Sequence, residues 1–490
     1  MMAHLPILQV LVPLLVAPMA ALMRRRGAGW LLAILGTWAA FGIAILLLRQ
    51  VLADGTIIYS LGGWAAPWGI EYRVDTVSAY VLVIVAGMGA IVTPYARLSV
   101  AREVGYKQAP LLYSGLLLCL SGLLGITITG DVFNLFVFLE ISSISAYALI
   151  AMGPDRRALH ASYKYLIMGS IGATFIVIGI GMMYMMTGTL NMADLAVRLP
   201  LVSSRTISVA FAFLTVGISL KLALFPLHAW LPDAYTYAPS AVTAFLASTA
   251  TKVAVYVLLR VFFSIFGVFF AYEVMTLHWI LLPLALMAVI SASFNAIYQE
   301  NVKRLLAYSS VAQIGYMILG ISLASVTGLT AGILHLFNHA LIKGTLFMAM
   351  GAVMYRIGSV RIEAMQGLGK RMPWTMAAFV GGGLSLIGVP LTVGFVSKWY
   401  LILALVENGM WAIALVVLAG SLLAVVYIWK VVEVAYFHDF LGDLGVKEAP
   451  ISLLIPIWIL VAANFYFGID ATLTAGVAKS AAELLLGVGP

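Results

Sequence analysis

An all-α polytopic membrane protein is the fold this sequence predicts, and three observations predict it. The 490 residues are 63% hydrophobic and only 9% charged, with a mean hydropathy of +1.08. A soluble chain of this length needs far more charge to cover its surface. Apolar runs of roughly twenty residues, the length that crosses a bilayer as a helix, recur from end to end. The basic residues between those runs also fall unevenly, crowding into every second loop.

About fourteen spans are expected, with ends placed to within several residues. Span 1 covers about 5–23 and span 2 about 29–50. The run Leu5–Met23 lacks a basic stretch before it, and Arg24–Arg26 follow it, so it is read as a retained helix rather than a signal peptide. Residues 54–74 are a loop rich in Gly, Trp and Ile, with room for a short hairpin. Spans 3 to 6 cover about 75–95, 110–129, 131–152 and 160–187. Span 7, about 205–235, is broken by the Pro/His/Trp/Asp-rich stretch Phe225–Tyr237, and span 8 covers about 239–263. Spans 9 to 11 cover about 276–299, 302–324 and 327–355, followed by an amphipathic connector, Ser359–Lys370. Span 12, about 373–406, is broken at Gly388–Pro390; span 13 covers about 410–437 and span 14 about 450–468, before a weakly amphipathic tail.

Charge in the loops sets the expected orientation. With the N-terminus outside, the inside loops hold Arg24–Arg26, Arg97, Arg102, Lys107, Arg156, Arg157, Lys303, Arg304, Arg356, Arg361, Lys370, Arg371 and Lys447. The outside loops hold only Arg49, Arg73, Arg198, Arg205 and Lys479, so both termini are expected outside the cell membrane. The net charge of +8 does not indicate nucleic acid, because no basic patch interleaved with aromatics occurs.

Spans 7 and 12 look like counterparts, each long, broken near a proline and carrying a lysine close to the break, Lys221 and Lys398. Paired interrupted spans point to a repeat-built transporter. The expected organisation is 1–109 for spans 1–3, 110–263 for a first repeat of spans 4–8, 276–437 for an inverted second repeat of spans 9–13, and 450–490 for span 14 and the tail.

The residues that carry chemistry are the ionisable ones inside these spans, where charge is expensive and marks function. Lys221 and Lys252 have apolar chain far on both sides, so snorkelling to a headgroup fits them poorly, whereas it fits Arg260 and Lys430 near helix ends. Burial disfavours the charged form of an amine, which lets such a lysine exchange a proton at working pH. Glu140 lies nine residues past Asp131, about 13 Å along a helix, near mid-membrane. It needs a cation to stay ionised; the bland alternative is a purely structural ion pair between spans 5 and 7. His335, His339 and Lys343 follow at i, i+4, i+8 and share one helix face over about 12 Å. That file suits a proton relay. Two histidines so spaced also suit zinc, but no HExxH pattern, cysteine or carboxylate lies nearby in sequence, so no metal is expected. Lys398 follows the Gly–Pro break, where freed backbone with Thr392 and Ser397 lines a candidate hydrated cavity. His228 and Asp233 sit in the turn after Lys221, as a proton entry or as helix caps.

Cys119 is the only cysteine, so neither an internal disulfide nor an iron–sulfur site is expected. No phosphate-binding glycine loop, nucleophile elbow or redox-centre signature is present. No cofactor is expected, and the remaining chemistry is charge movement.

In combination, GDVFNLFVFLE, LKLALFPLHAWLPDAY, the Lys252 helix, HLFNHALIKGTLF and GVPLTVGFVSKW resemble the signature segments of the antiporter-like subunits. These are shared by Mrp-type multisubunit sodium/proton antiporters, respiratory complex I and membrane-bound hydrogenases. The resemblance spans essentially all fourteen helices. Length and a single fourteen-helix core look most like the D-type member of an Mrp antiporter. The resemblance implies Glu140 and Lys221 as a coupled pair and Lys252 as the connecting lysine. It implies His335, His339 and Lys343 as a central-axis relay and Lys398 as the second-half lysine. It further implies membrane partner subunits, protons and a monovalent cation as the moving species, and a transporter subunit rather than an enzyme. The alternative is the proton-pumping subunit of a hydrogenase-type or complex I-type oxidoreductase. Buried charge argues against a pure scaffold.

Overall fold

A computed structural model describes residues 4–23, 27–202, 204–440 and 445–488. The chain is helical nearly throughout. Backbone groups in a bilayer must be satisfied within the protein, and helices do this locally. The first three helices are α1 (Leu5–Leu22), α2 (Ala28–Asp54) and α3 (Thr76–Glu103). Between α2 and α3, β1 (Ile57–Ser60) and β2 (Glu71–Val74) pair antiparallel, which is the hairpin the loop composition allowed. Next come α4 (Ala109–Ile128), α5 (Val132–Ala151) and α6 (Arg157–Thr187), then a surface turn, α7 (Met192–Arg198).

Span 7 is α8 (Arg205–Leu222) and the short α9 (Leu231–Tyr237), with residues 223–230 non-helical between them. α8 stops at Ala223, which takes a left-handed conformation three residues before Pro226. Trp230 closes the gap by donating its indole N–H to the Leu220 carbonyl at 3.0 Å. α10 (Ser240–Leu259) follows and continues as a wider turn to Ile265. The second half holds α11 (His278–Ile297), α12 (Val302–Ser322), α13 (Val326–Ile357), the single turn α14 (Leu368–Arg371), α15 (Pro373–Ile387), α16 (Val393–Glu407) and α17 (Trp411–Phe437). α18 (Ile451–Ile469) and α19 (Thr472–Leu486) complete the chain.

Thirteen helices are long and apolar enough to cross a membrane among the described residues. The fourteenth crossing is shared by α15 and α16, fifteen residues each. Neither piece alone, about 22 Å long, spans a hydrocarbon core of about 30 Å. Helices α10, α12 and α13 form the buried centre, while α1, α2, α6, α11, α17 and α18 turn leucine, isoleucine and tryptophan outward as a lipid-facing surface does. The tail is a full helix, α19, packed on α13 and α3.

The same local device occurs twice. Asp131 caps α5 by accepting from Asn134 N–H, and its strand-like backbone pairs with Asn191, closing the α5–α6 hairpin. Asn301 caps α12 by accepting from Arg304 N–H, and its backbone pairs with Arg361, closing the α12–α13 hairpin. Chain alternation puts the two closures at opposite ends of the bundle. The end with Asn301 also carries Lys107, Arg156, Arg157, Lys370 and Lys447, and is called the basic end below. Arg24–Arg26, which contributed to the expected orientation, lie outside the described residues.

Two expectations about single cations are corrected. Arg260 does not snorkel. It is 7% exposed and ion-paired with Asp75, the cap of α3, with further hydrogen bonds to Ser78 and Tyr256. A guanidinium at a helix end stays inside when a buried carboxylate meets it there. Lys303, read as a loop residue, lies in the first turn of α12 at 2% exposure and donates to the Ala238 carbonyl at 2.7 Å. Lys430 caps α11 through the Ile297 and Gln299 carbonyls.

Candidate functional site

The first group of ionisable residues lies where α8 breaks. Stopping the helix at Ala223 leaves Lys221 in its last turn, pointing at α5. The Lys221 amine donates to Ser143 Oγ at 2.8 Å and Tyr147 OH at 3.5 Å, and stands 3.5 Å from Glu140 Oε1. Glu140 and Ser143 are three residues apart and so share a face of α5. The pair is asymmetric: the Lys221 side chain is 7% exposed and that of Glu140 28%. Tyr147 packs edge-on against Tyr165, which stacks on Trp230 at 3.9 Å between ring centres. The aromatic stack thus ties the broken backbone to the pair. A cavity of about 40 Å³ beside Lys221, walled by α4, α5, α6, α8 and α10, is large enough to hold water.

Lys252 is fully buried at mid-length of α10. Its amine turns back on its own helix, to the Ala247 carbonyl and to Thr251 Oγ1 at 3.4 Å. It meets no carboxylate among the described residues. Lys221 and Lys252 are not bonded to each other: the first is held on α5, the second faces α13. Packing of α10 on α13 puts Lys252 in the electrostatic neighbourhood of His339 and Lys343.

On α13 the file is present as its spacing predicts. The His335 and His339 rings are stacked at 5.9 Å with only 4° between planes. His335 meets Gln313 Oε1 of α12 through Nε2 at 2.9 Å and Ser397 Oγ of α16 through Nδ1 at 2.7 Å. A hydroxyl either donates or accepts, so that contact suits a neutral and a charged imidazole alike. His339 is completely buried, and its ring nitrogens have no hydrogen-bond partner among the described residues. Lys343 donates to the Leu306 carbonyl at 2.8 Å and to Ser309 Oγ, both on α12.

Lys398 closes the line. Gly388 ends α15 in a left-handed conformation at φ +91°, which frees the last carbonyls of that helix. The Lys398 amine takes them, donating to Leu386 O at 3.1 Å, Ile387 O at 2.7 Å and Ser421 Oγ at 3.0 Å. A cation on freed C-terminal carbonyls is favoured by the helix dipole. The left-handed φ favours glycine at 388, and a Cβ there would also stand 3.0 Å from Lys398 Cδ. Ser397 is the neighbour of Lys398, so one turn of α16 touches both the histidine file and the second break.

The structure therefore brings His335, His339 and Lys343 into one line with Lys398 at its end, and brings Glu140 to Lys221 across a long contact. His228 and Asp233 fall apart: Asp233 pairs with Lys164 at 2.9 Å and Arg304 at 3.7 Å, while His228 stacks on Phe225. Sequence reasoning missed the polar groups that hold the line, Ser143, Ser309, Gln313 and Ser421. Of these only Gln313, an amide inside an otherwise apolar helix, left a signal. No group of three or more histidine, cysteine or carboxylate side chains suited to a metal occurs among the described residues.

Comparison with known proteins follows the same outline. The family described as NADH:quinone oxidoreductase/Mrp antiporter, TM matches residues 129–424. The chain is 43% identical over 483 residues to the N subunit of the NADH-quinone oxidoreductase of Desulforudis audaxviator, covering 94% of each chain. It is 32% identical over 497 residues to the D-type member of the Na(+)/H(+) antiporter of Bacillus subtilis, covering 99% of this chain and 98% of that one. Among solved structures, a chain of the Mrp complex from Dietzia sp. superposes with a TM-score of 0.90 at 25% identity, over 99% of this chain and 97% of that one. A chain of the membrane-bound sulfane sulfur reductase, an archaeal respiratory membrane complex, superposes with a TM-score of 0.90 at 32% identity, over 99% and 98%.

Proposed function

The chain belongs to the NADH:quinone oxidoreductase/Mrp antiporter membrane-subunit family, and on that footing we propose that it is the proton-translocating, D-type subunit of a multisubunit sodium/proton antiporter. The observation that carries this reading is the line of buried ionisable side chains from Glu140 and Lys221 through Lys252, Lys343, His339 and His335 to Lys398. Holding this many cations out of water serves no packing purpose, and each has a polar contact or a neighbouring titratable group through which a proton moves. In this reading a proton reaches Lys221, passes Lys252 and the α13 file, and leaves through Lys398. Glu140 governs the step by approaching or withdrawing from the Lys221 amine. At 3.5 Å the contact is long enough to tighten, and Ser143 holds the amine when it loosens.

The protein sits in the cell membrane with its basic end inside and both termini outside, among other membrane subunits of a hetero-oligomer. Residues 110–263 and 276–437 act as two halves, each with one broken helix and one lysine at the break. A specific observation favours a second reading, in which the assembly is driven by a redox reaction. The 43% identical relative carries an oxidoreductase name, and one structural neighbour is a sulfane sulfur reductase chain. Native mass spectrometry of the purified complex decides between them. Small membrane subunits alone support the antiporter; iron–sulfur or nickel subunits support the redox-driven pump. Proton flux in vesicles carrying the complex tests what both share: a complex that moves no protons refutes the common reading.

A further inference from the structure

A cavity of about 500 Å³ opens at the basic end between the two halves. Its rim is charged: Asp155 and Arg157 pair on one side, and Arg361 and Glu300 on the other. Three further charged groups line it, Glu103, Lys303 and Arg304, and none belongs to the line described above; Arg304 is paired with Asp233. Glu103 and Lys303 grip the turn between α9 and α10 from its two sides. The Glu103 carboxylate accepts from Ser240 N–H at 3.0 Å and Ser240 Oγ at 3.1 Å, and the Lys303 amine donates to the Ala238 carbonyl. Lys303 is almost wholly buried, yet it reaches a wide polar space.

The helix that carries Lys303 leads inward to the central file. Between about one and three turns further along α12, the Leu306 carbonyl and Ser309 hold the Lys343 amine, and Gln313 holds His335. Lys303 and Ser309 are six residues apart, about 9 Å along the axis. Positions 303, 306, 309 and 313 fall on one side of the helix. α12 therefore presents polar groups from the floor of the cavity to the two ends of the α13 file.

We propose that this cavity is a mouth through which protons reach the central file from the basic end, with Lys303 as the residue that passes them on. The inference rests on the relay reading above. The Lys303 ammonium gives its proton to water that bridges the interval of about 9 Å to Ser309, that water passes one on toward the Lys343 amine, and the neutral Lys303 amine regains a proton from the water-facing side of the cavity. The reverse sequence serves flow the other way. Glu103 is a positioning residue that holds the α10 terminus in place beside the amine.

Lys303→Arg separates proton passage from a structural clamp, because arginine keeps a charged donor for the Ala238 carbonyl but does not release a proton. The assay is proton flux in vesicles carrying the assembled complex. The expected result is normal assembly with flux lowered on the order of a hundredfold, as for loss of a positioned proton-transfer group. Lys303→Gln, which keeps a neutral donor, is the second variant should arginine not assemble, and the same loss is expected. Wild-type flux in either assembled variant overturns the proposal. Lys343→Ala is measured alongside. Flux lost there but kept in the Lys303 variants refutes the mouth alone, whereas flux kept in Lys343→Ala refutes the relay itself. Access is tested in a Cys119→Ser background carrying Lys303→Cys, with a charged, membrane-impermeant maleimide. Labelling from the face bearing the basic end is expected, and labelling from neither face overturns the proposal.

Discussion

Glu140 and Lys221 face each other at 3.5 Å, yet the shorter contact of the amine, 2.8 Å, goes to Ser143 on the same helix as the carboxylate. The lysine is thus held by a neutral hydroxyl and only modulated by the charge. That makes the carboxylate removable without losing the anchor. Glu140→Gln is expected to leave the complex assembled and to abolish or sharply reduce proton flux. Wild-type exchange in vesicles carrying this variant would take Glu140 out of the mechanism.

Lys221→Ala is expected to be as damaging, and Lys221→Arg is expected not to restore activity. Arginine satisfies Ser143 and Glu140 but stays protonated. An arginine variant at full flux would show that a fixed charge suffices at the α8 break.

The α13 file predicts non-additivity. Groups in series fail together, so His335→Ala, Lys343→Ala and the double variant are expected to lose flux equally, with little change in melting. Independent packing residues would behave differently, with losses of stability that add and flux per folded complex preserved. Parallel measurements of flux and thermal unfolding separate the two outcomes. Lys343→Ala is expected to give the cleaner result, since water stands in for an imidazole more readily than for a buried cation.

The Asp75–Arg260 pair predicts the opposite pattern. Both side chains are under a tenth exposed, so Asp75→Ala strands a buried guanidinium and is expected to cost about 3–5 kcal/mol of stability. Replacing both, Asp75→Ala with Arg260→Leu, is expected to recover most of that loss. Thermal unfolding of the purified complex is the measurement. A single variant that melts like the wild type would mean that the pair contributes nothing to holding α3 against α10.

Much of this architecture was legible because a membrane helix announces itself by length and apolarity, and a charge within it stands out. That is why Glu140, Lys221, Lys252, Lys398 and the α13 file stood out as candidates by residue type and spacing. The position of the first break was less legible. The sequence shows Pro226 and the polar run after it, but α8 ends at Ala223, where the chain turns left-handed before the proline is reached. Apart from Glu140 and Lys221, partners far apart in sequence were not legible. Asp75 and Arg260 are separated by 185 residues, and each alone looks like a residue at a helix end. Lys303 failed for a related reason: beside Arg304 it reads as loop charge, and only the packing of α12 against α9 buries it. The hydroxyls of Ser143, Ser309 and Ser421 were invisible because a serine in an apolar helix ordinarily bonds back to its own backbone.

The two closures, Asp131 with Asn191 and Asn301 with Arg361, each fasten one helix hairpin, yet they lie at opposite ends. Between the start of the first pair and the start of the second, the chain crosses five times, in α5, α6, α8 with α9, α10 and α11. Five is odd, and an odd number of crossings returns a chain to the far side of the membrane. A five-crossing ancestor copied in tandem would insert its second copy upside down with no further change to its sequence. Two copies facing opposite compartments would then be an automatic outcome of duplication, leaving selection only the task of joining them along the middle.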